Sequence, residues 1–99
     1  MEKDRTILEI IERLTHTLGP ATFEVADYWE ADLCAVGVKI GLKLVYISTY
    51  KYLDLVESQY DCHFELLNEY HEDEYTTVKI REGVSETELI HEIRTFWEI

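Results

Sequence analysis

Ninety-nine residues leave room for one domain and one core, and a chain of this length hides roughly two-thirds of the surface its unfolded form exposes, enough to fold without disulfide or metal staples. With 46% hydrophobic and 12% aromatic residues, the composition excludes a disordered chain even though 30% of positions are charged. The formal net charge of -12, from 9 basic against 21 acidic side chains, sets the chain against nucleic acid and anionic membrane, whose binding relies on Lys and Arg displacing counterions.

The chain begins with a helical pattern over residues 4–18, where Ile7, Leu8, Ile11, Leu14 and Leu18 form one stripe, Asp4 stands near the start and Gly19-Pro20 ends the run. Charge interrupts this segment, so it does not resemble the apolar core of a signal peptide. Nor does any window reach the roughly eighteen apolar residues of a membrane span, and a cytoplasmic location is expected. In such a reducing compartment Cys34 and Cys62 are expected as core thiols, with no C-x-x-C to suggest a redox pair or zinc knuckle.

After Pro20 the period shortens towards two. Residues 22–29, 32–40, 44–50, 60–66 and 75–81 read as five strands, while 51–58 fits either a short helical turn or a wide loop. Gly41-Leu42 reads as the two-residue loop of a hairpin, with glycine supplying a positive φ. That loop pairs Val38 with Val45, Val36 with Ile47 and Cys34 with Thr49 on an apolar face. On the other face it pairs Lys39 with Leu44, Gly37 with Tyr46, Ala35 with Ser48 and Leu33 with Tyr50. At the C-terminal end Ser85 and Glu88 make an S-x-x-E capping box, followed by Leu89, Ile90, Ile93, Phe96 and Trp97 at helical spacing. The expected architecture is therefore α+β: residues 1–99 as a single two-layer domain, an antiparallel sheet of about five strands flanked by N- and C-terminal helices in the order α-β-β-β-(α)-β-β-α.

The stretch YDCHFELLNEYHEDEY, residues 60–75, holds a cysteine, two histidines and six acids. Strand alternation splits it: Tyr60, Cys62, Phe64 and Leu66 point one way, Asp61, His63, Glu65 and Leu67 the other, so Cys62 and His63 cannot share a metal. Val78 and Ile80 are expected in the apolar row of the partner strand, and Lys79 and Arg81 across from Glu65 and Asp61. Residues 68–74 form a polar hairpin tip that lacks calcium-loop spacing, and His71 is the tip's one nitrogen or sulfur donor, too few for zinc. His16 suits the end of the first helix, and His91 has the H-E of a zincin without its second histidine; both, like His63, read as surface groups. No phosphate loop or nucleophile elbow occurs, so no catalytic, cofactor-binding or metal-ligating residue is nominated and no cofactor is expected.

What remains is a non-catalytic protein-protein interaction module, either a homodimer or a chaperone-like or inhibitor-like protein meeting a basic partner. Its candidate interaction face is Leu33, Leu44, Tyr46 and Tyr50, the tyrosine side of the central hairpin. The order of elements is similar to that of small acidic secretion chaperones, and the acidity is similar to that of small bacterial immunity proteins that block basic toxins; both likenesses are of architecture and charge, without a shared motif. The alternative is a small-ligand binder or enzyme with a pocket between sheet and helices, walled by Tyr28, Trp29 or Trp97.

Overall fold

In the computed structural model, which describes residues 2–26, 30–71 and 74–99, the first helix starts where the Asp4 carboxylate accepts from the Thr6 backbone N–H at 3.0 Å and the Thr6 hydroxyl at 2.6 Å. This satisfies an amide that a helix start leaves bare. Helix α1 (Arg5–Leu18) ends at Gly19, whose φ of 103° disfavours any residue with a β-carbon. The strands β1 (Glu24–Val25), β2 (Ala35–Ile40), β3 (Lys43–Ser48), β4 (Tyr60–Leu67) and β5 (Tyr75–Val84) form one antiparallel sheet in chain order. A single 3-10 turn, Tyr50–Tyr52, lies between β3 and β4. Helix α2 (Glu86–Trp97) closes the chain behind the expected capping box: Ser85 Oγ accepts from Glu88 N, and Glu88 Oε1 from Ser85 N. The fold is thus α+β with the expected order of elements.

Both helices cover one face of the sheet. Ile7, Ile10 and Leu14 of α1 and Leu89, Ile93 and Trp97 of α2 meet Val36, Val38, Val45, Ile47, Tyr60, Cys62, Phe64 and Val84. Each large aliphatic or aromatic side chain buried here contributes roughly 1.5–3 kcal/mol of transfer free energy. Trp97 also donates its indole N–H to the Lys43 carbonyl at 3.0 Å and stacks on Phe23 at 5.7 Å between centroids. The stripe of α1 runs through Ile10, while Leu8 is exposed, a rotation of the buried face away from the predicted one.

The central hairpin follows the expected register from Ala35↔Ser48 to Ile40↔Lys43, with Gly41 at φ 58°. The ladder stops there. Thr49 N still donates to Cys34 O at 2.9 Å, but Tyr50 turns into the 3-10 segment, so Leu33 and Tyr50 are not ladder partners. Strand β1 is shorter than expected, and the readings that fell on Asp27, Tyr28, Trp29, Glu72 and Asp73 lie outside the described residues.

The β4–β5 pairing corrects the sequence-based alternation. Leu66↔Thr76 and Tyr60↔Val84 have the expected parity, but two register shifts lie between them. Each shift is an extra residue on β5, and one extra residue turns every following side chain to the opposite face. In the middle of the strand Cys62 faces Arg81 and Phe64 faces Lys79, while Ile80 pairs with His63 on the other face. Val78 and Ile80 are accordingly exposed rather than core. Lys79 and Arg81 do not meet Glu65 and Asp61; they bind Glu92 of α2 at 2.6 and 2.7 Å.

Candidate functional site

The face of the sheet away from the helices carries Ala35, Gly37, Lys39, Leu44, Tyr46 and Ser48 from the hairpin, then Asp61, His63, Glu65 and Leu67 from β4. One row crosses it as Gly37, Tyr46, His63 and Ile80, with the Tyr46 and His63 rings 5.3 Å apart. Burial raises the Tyr46 phenol above its ordinary value, against a smaller opposing effect of the Ser48 hydroxyl. A second row, Lys39, Leu44, Glu65 and Thr77, lies beside it.

Two carboxylates of β4 are shielded on this face. Asp61, 9% exposed, accepts from the Tyr52 hydroxyl at 2.6 Å and the Gly83 N–H at 3.0 Å through Oδ1, while Lys51 Nζ stands 3.2 Å from Oδ2. Burial alone would push its carboxyl up; the three donors overcome that and hold it below its ordinary value. Gly83 belongs to the second bulge at φ 62°, where a β-carbon would come within 3.3 Å of Gln59 Oε1 and 3.4 Å of the Tyr52 hydroxyl. Asp61 therefore ties three pieces of chain together: β4, the bulge of β5 and the segment after β3.

Glu65 is more enclosed, at 3% exposure, and less satisfied. The Thr77 hydroxyl donates to Oε2 at 3.1 Å, but Oε1 is buried with no hydrogen-bond partner. Burial raises its pKa, with Thr77 and the nearby His63 working in the opposite direction. Beside it Leu44, 1% exposed, packs with Ala26 and Leu67 in a small cluster separate from the main core.

Beyond the sheet, residues 53–58 expose Leu53, Leu55 and Val56, the last completely. The segment turns twice, with Tyr52 N donating to Thr49 O at 2.9 Å and Leu55 N to Tyr52 O at 3.2 Å. A shallow groove of about 840 Å³ runs along α1 to the start of α2, lined by Glu9, Glu12, Arg13, His16 and Glu86 among others.

The four residues of the predicted interaction face thus have different fates. Leu33 is exposed, Tyr50 is 72% exposed on the 3-10 turn, Tyr46 is half-buried against His63, and Leu44 is enclosed. The β-ladder unites Leu44 and Tyr46 on one face and leaves Leu33 and Tyr50 beyond its end. Among the described residues no group of three or more His, Cys, Asp or Glu side chains is placed to hold a metal ion, and no helix is long and apolar enough to cross a membrane. Cys62 is a buried core thiol, and burial pushes it up to about 11, whereas Cys34, expected in the core as well, is only half-buried and lies outside the core cluster, just before β2 begins; both are free thiols.

Sequence reasoning missed the roles of Asp61 and Glu65, which alternation placed on a solvated face. It read residues 51–58 only as a short helical turn or a wide loop, although LDLV next to Glu57 interleaves apolar side chains with acid and so signals exposed apolar groups. No family model, curated protein or solved structure matches the chain.

Proposed function

We propose that this chain is a non-catalytic protein-binding module whose partner presents a basic surface, acting as an inhibitor-like or chaperone-like mask for that surface. The observation that carries the proposal is where its cations are used. Arg5, Arg13, Lys43, Lys51, Lys79 and Arg81 lie 2.6 to 3.7 Å from carboxylate oxygens of the same chain. With most positive charge consumed internally, the -12 excess is left as acid available to an incoming cationic surface. Homodimerisation is the less favoured form of this function, since two copies at -12 repel one another before contact.

Affinity purification from the source cell followed by reconstitution from purified components tests this. The expected result is a stoichiometric complex with a protein of basic surface, whose association rate falls steeply as salt is raised. Partners that are acidic, or an association rate indifferent to salt, would reject it. Light scattering on the isolated chain gives the oligomeric state at the same time.

A small-ligand binder or enzyme is the alternative, and Glu65 is what favours it: a buried carboxyl with a raised pKa and one unpartnered oxygen. Solvent does not reach that oxygen, so a ligand would have to displace neighbouring side chains to bind it. Native mass spectrometry of protein purified from its source distinguishes the two functions, a retained small molecule lost in Glu65→Gln supporting the alternative.

A further inference from the structure

We infer that residues 50–57 are a preformed docking element, which places apolar side chains into an apolar groove rimmed by Lys or Arg on a partner protein. The inference rests on the basic-partner function proposed above and assigns its contact point. Single exposed apolar residues are ordinary on a protein surface. Here Tyr50, Leu53, Leu55 and Val56 are all exposed within one short segment, with Asp54 and Glu57, also exposed, flanking the Leu55-Val56 pair. Apolar contact and negative charge are thus offered by the same few residues.

The base of the segment is held where a floppy loop would be left free. Tyr52 and Lys51 bind Asp61, Lys51 also stands 3.7 Å from Glu82, and the Gly83 N–H donates to the same Asp61 oxygen as the Tyr52 hydroxyl. Lys51, the one cation in the segment, is exposed but stands beside Asp61 and Glu82, so its charge is matched where it lies and Asp54 and Glu57 set the sign of the display. Fixing the display before binding reduces the ordering entropy that association would otherwise lose.

Another exposed apolar pair, Val78 and Ile80 on β5, fits a basic partner less well. Lys79 and Arg81 alternate with them, and bulges interrupt the strand on either side of the 79–81 run. A second copy of the chain fits residues 50–57 poorly as well, because it would bring Asp54 and Glu57 against their own kind.

The test is an amide-resolved NMR titration at 150 mM salt with a 16-residue amphipathic Lys/Leu peptide as the probe, and a Glu/Leu peptide of the same pattern as control. Shifts should concentrate in residues 50–57. Leu55→Ser with Val56→Ser keeps the net charge and should weaken Lys/Leu binding about ten-fold, which is about 1.4 kcal/mol. Val78→Ser with Ile80→Ser should change it less than two-fold. Circular dichroism melting confirms that both exposed-site variants remain folded. Shifts spread over the whole acidic surface, with affinity unchanged in the 55/56 variant, overturn the docking element while leaving the basic-partner function standing. A loss confined to the 78/80 variant overturns it in favour of the β5 edge. If the peptide-free chain self-associates and the 55/56 variant abolishes this, the occupant is a second copy and the inference fails. Equal binding of the Glu/Leu peptide defeats the basic-partner function itself.

Discussion

Asp61 and Glu65 stand on one strand, on one face, four positions apart and both shielded from water, yet their surroundings oppose each other. Asp61 has three donors on its two oxygens, and the ionised form is favoured despite burial. Glu65 has one donor and a bare oxygen, and burial prevails. The same chemical group therefore serves as a tie at one end of β4 and as a local weakness nearer the other. Donor supply makes the difference: the 3-10 turn and the β5 bulge reach Asp61, whereas Glu65 has Leu44 and Leu67 as near neighbours on its side of the sheet.

The largest effect expected from breaking this contrast is that of Asp61→Ala. It leaves the Gly83 N–H and Tyr52 hydroxyl without their acceptor and removes the nearer of the two carboxylates beside Lys51, and losing a buried, charge-assisted hub of this kind costs about 3 kcal/mol. Urea unfolding would measure the loss, and amide exchange in residues 53–57 should accelerate beyond what the global destabilisation explains. A change below about 0.5 kcal/mol would show that Asp61 holds nothing together.

Glu65→Gln should act in the opposite direction, and its pH dependence identifies why. A carboxyl whose folded pKa is raised above its ordinary 4.5 contributes stability below that value and loses it as pH rises through the folded pKa. Wild type and Glu65→Gln should therefore be similar in stability at pH 3.5 and diverge towards neutrality, where the variant is more stable by roughly 1 kcal/mol, the scale of an unsatisfied buried group. Asp61 has the reverse sign. Its depressed carboxyl gives stability that is present above the ordinary 3.8 and lost as pH falls through the folded pKa; Asp4, held down by Thr6, behaves alike, as does Glu92, held down by Lys79 from its ordinary 4.5. Chemical denaturation of both variants across pH 2 to 8 checks the pair of slopes. Parallel curves for wild type and Glu65→Gln would remove Glu65 as a weak point.

How much of this contrast was legible in the sequence depends on what lies beyond each strand. The hairpin register was readable because a two-residue loop leaves no freedom: Gly41-Leu42 determined which of Val36, Val38, Tyr46 and Ile47 shared a face. The helix starts were readable from Asp4 and Ser85, whose side chains act on amides two or three residues away. The β5 bulges were not, because nothing local distinguishes TTVKIREGV from an unbroken strand until Gly83, and each extra residue reverses the faces that follow. Alternation could assign Asp61, Glu65 and Leu44 to the face away from the helices, but not reveal that Ala26 and Leu67 enclose Leu44 or that Tyr52 comes to Asp61 from another segment. The order of elements is local information; the candidate site is made by residues distant in the chain.

Tyr52→Phe sharpens the comparison by removing one donor from Asp61 and little else. The ring remains, so packing against the bulge changes little, and the expected loss is roughly 0.5–1 kcal/mol, that of an ordinary hydrogen bond, because Asp61 keeps the Gly83 N–H and Lys51. Amide exchange at Leu55 is the more sensitive readout, because its N–H donates to the Tyr52 carbonyl and loosens with the turn. Unchanged exchange there would mean that the backbone turns, and not the Tyr52 hydroxyl, hold the segment.

Lys51→Met should have the smallest effect, and that smallness is informative. Lys51 reaches both Asp61 and Glu82, yet its ammonium remains open to water, where Coulomb attraction is screened and side-chain ordering offsets much of what is left. The melting temperature of Lys51→Met should therefore stay indistinguishable from wild type at 150 mM salt, while Asp61 keeps its hydrogen bonds from Tyr52 and Gly83. A marked destabilisation that disappears in high salt would instead assign the tie at Asp61 mainly to charge neutralisation. The difference between Asp61 and Glu65 would then turn on the cation beside Asp61 more than on the number of donors around each carboxylate.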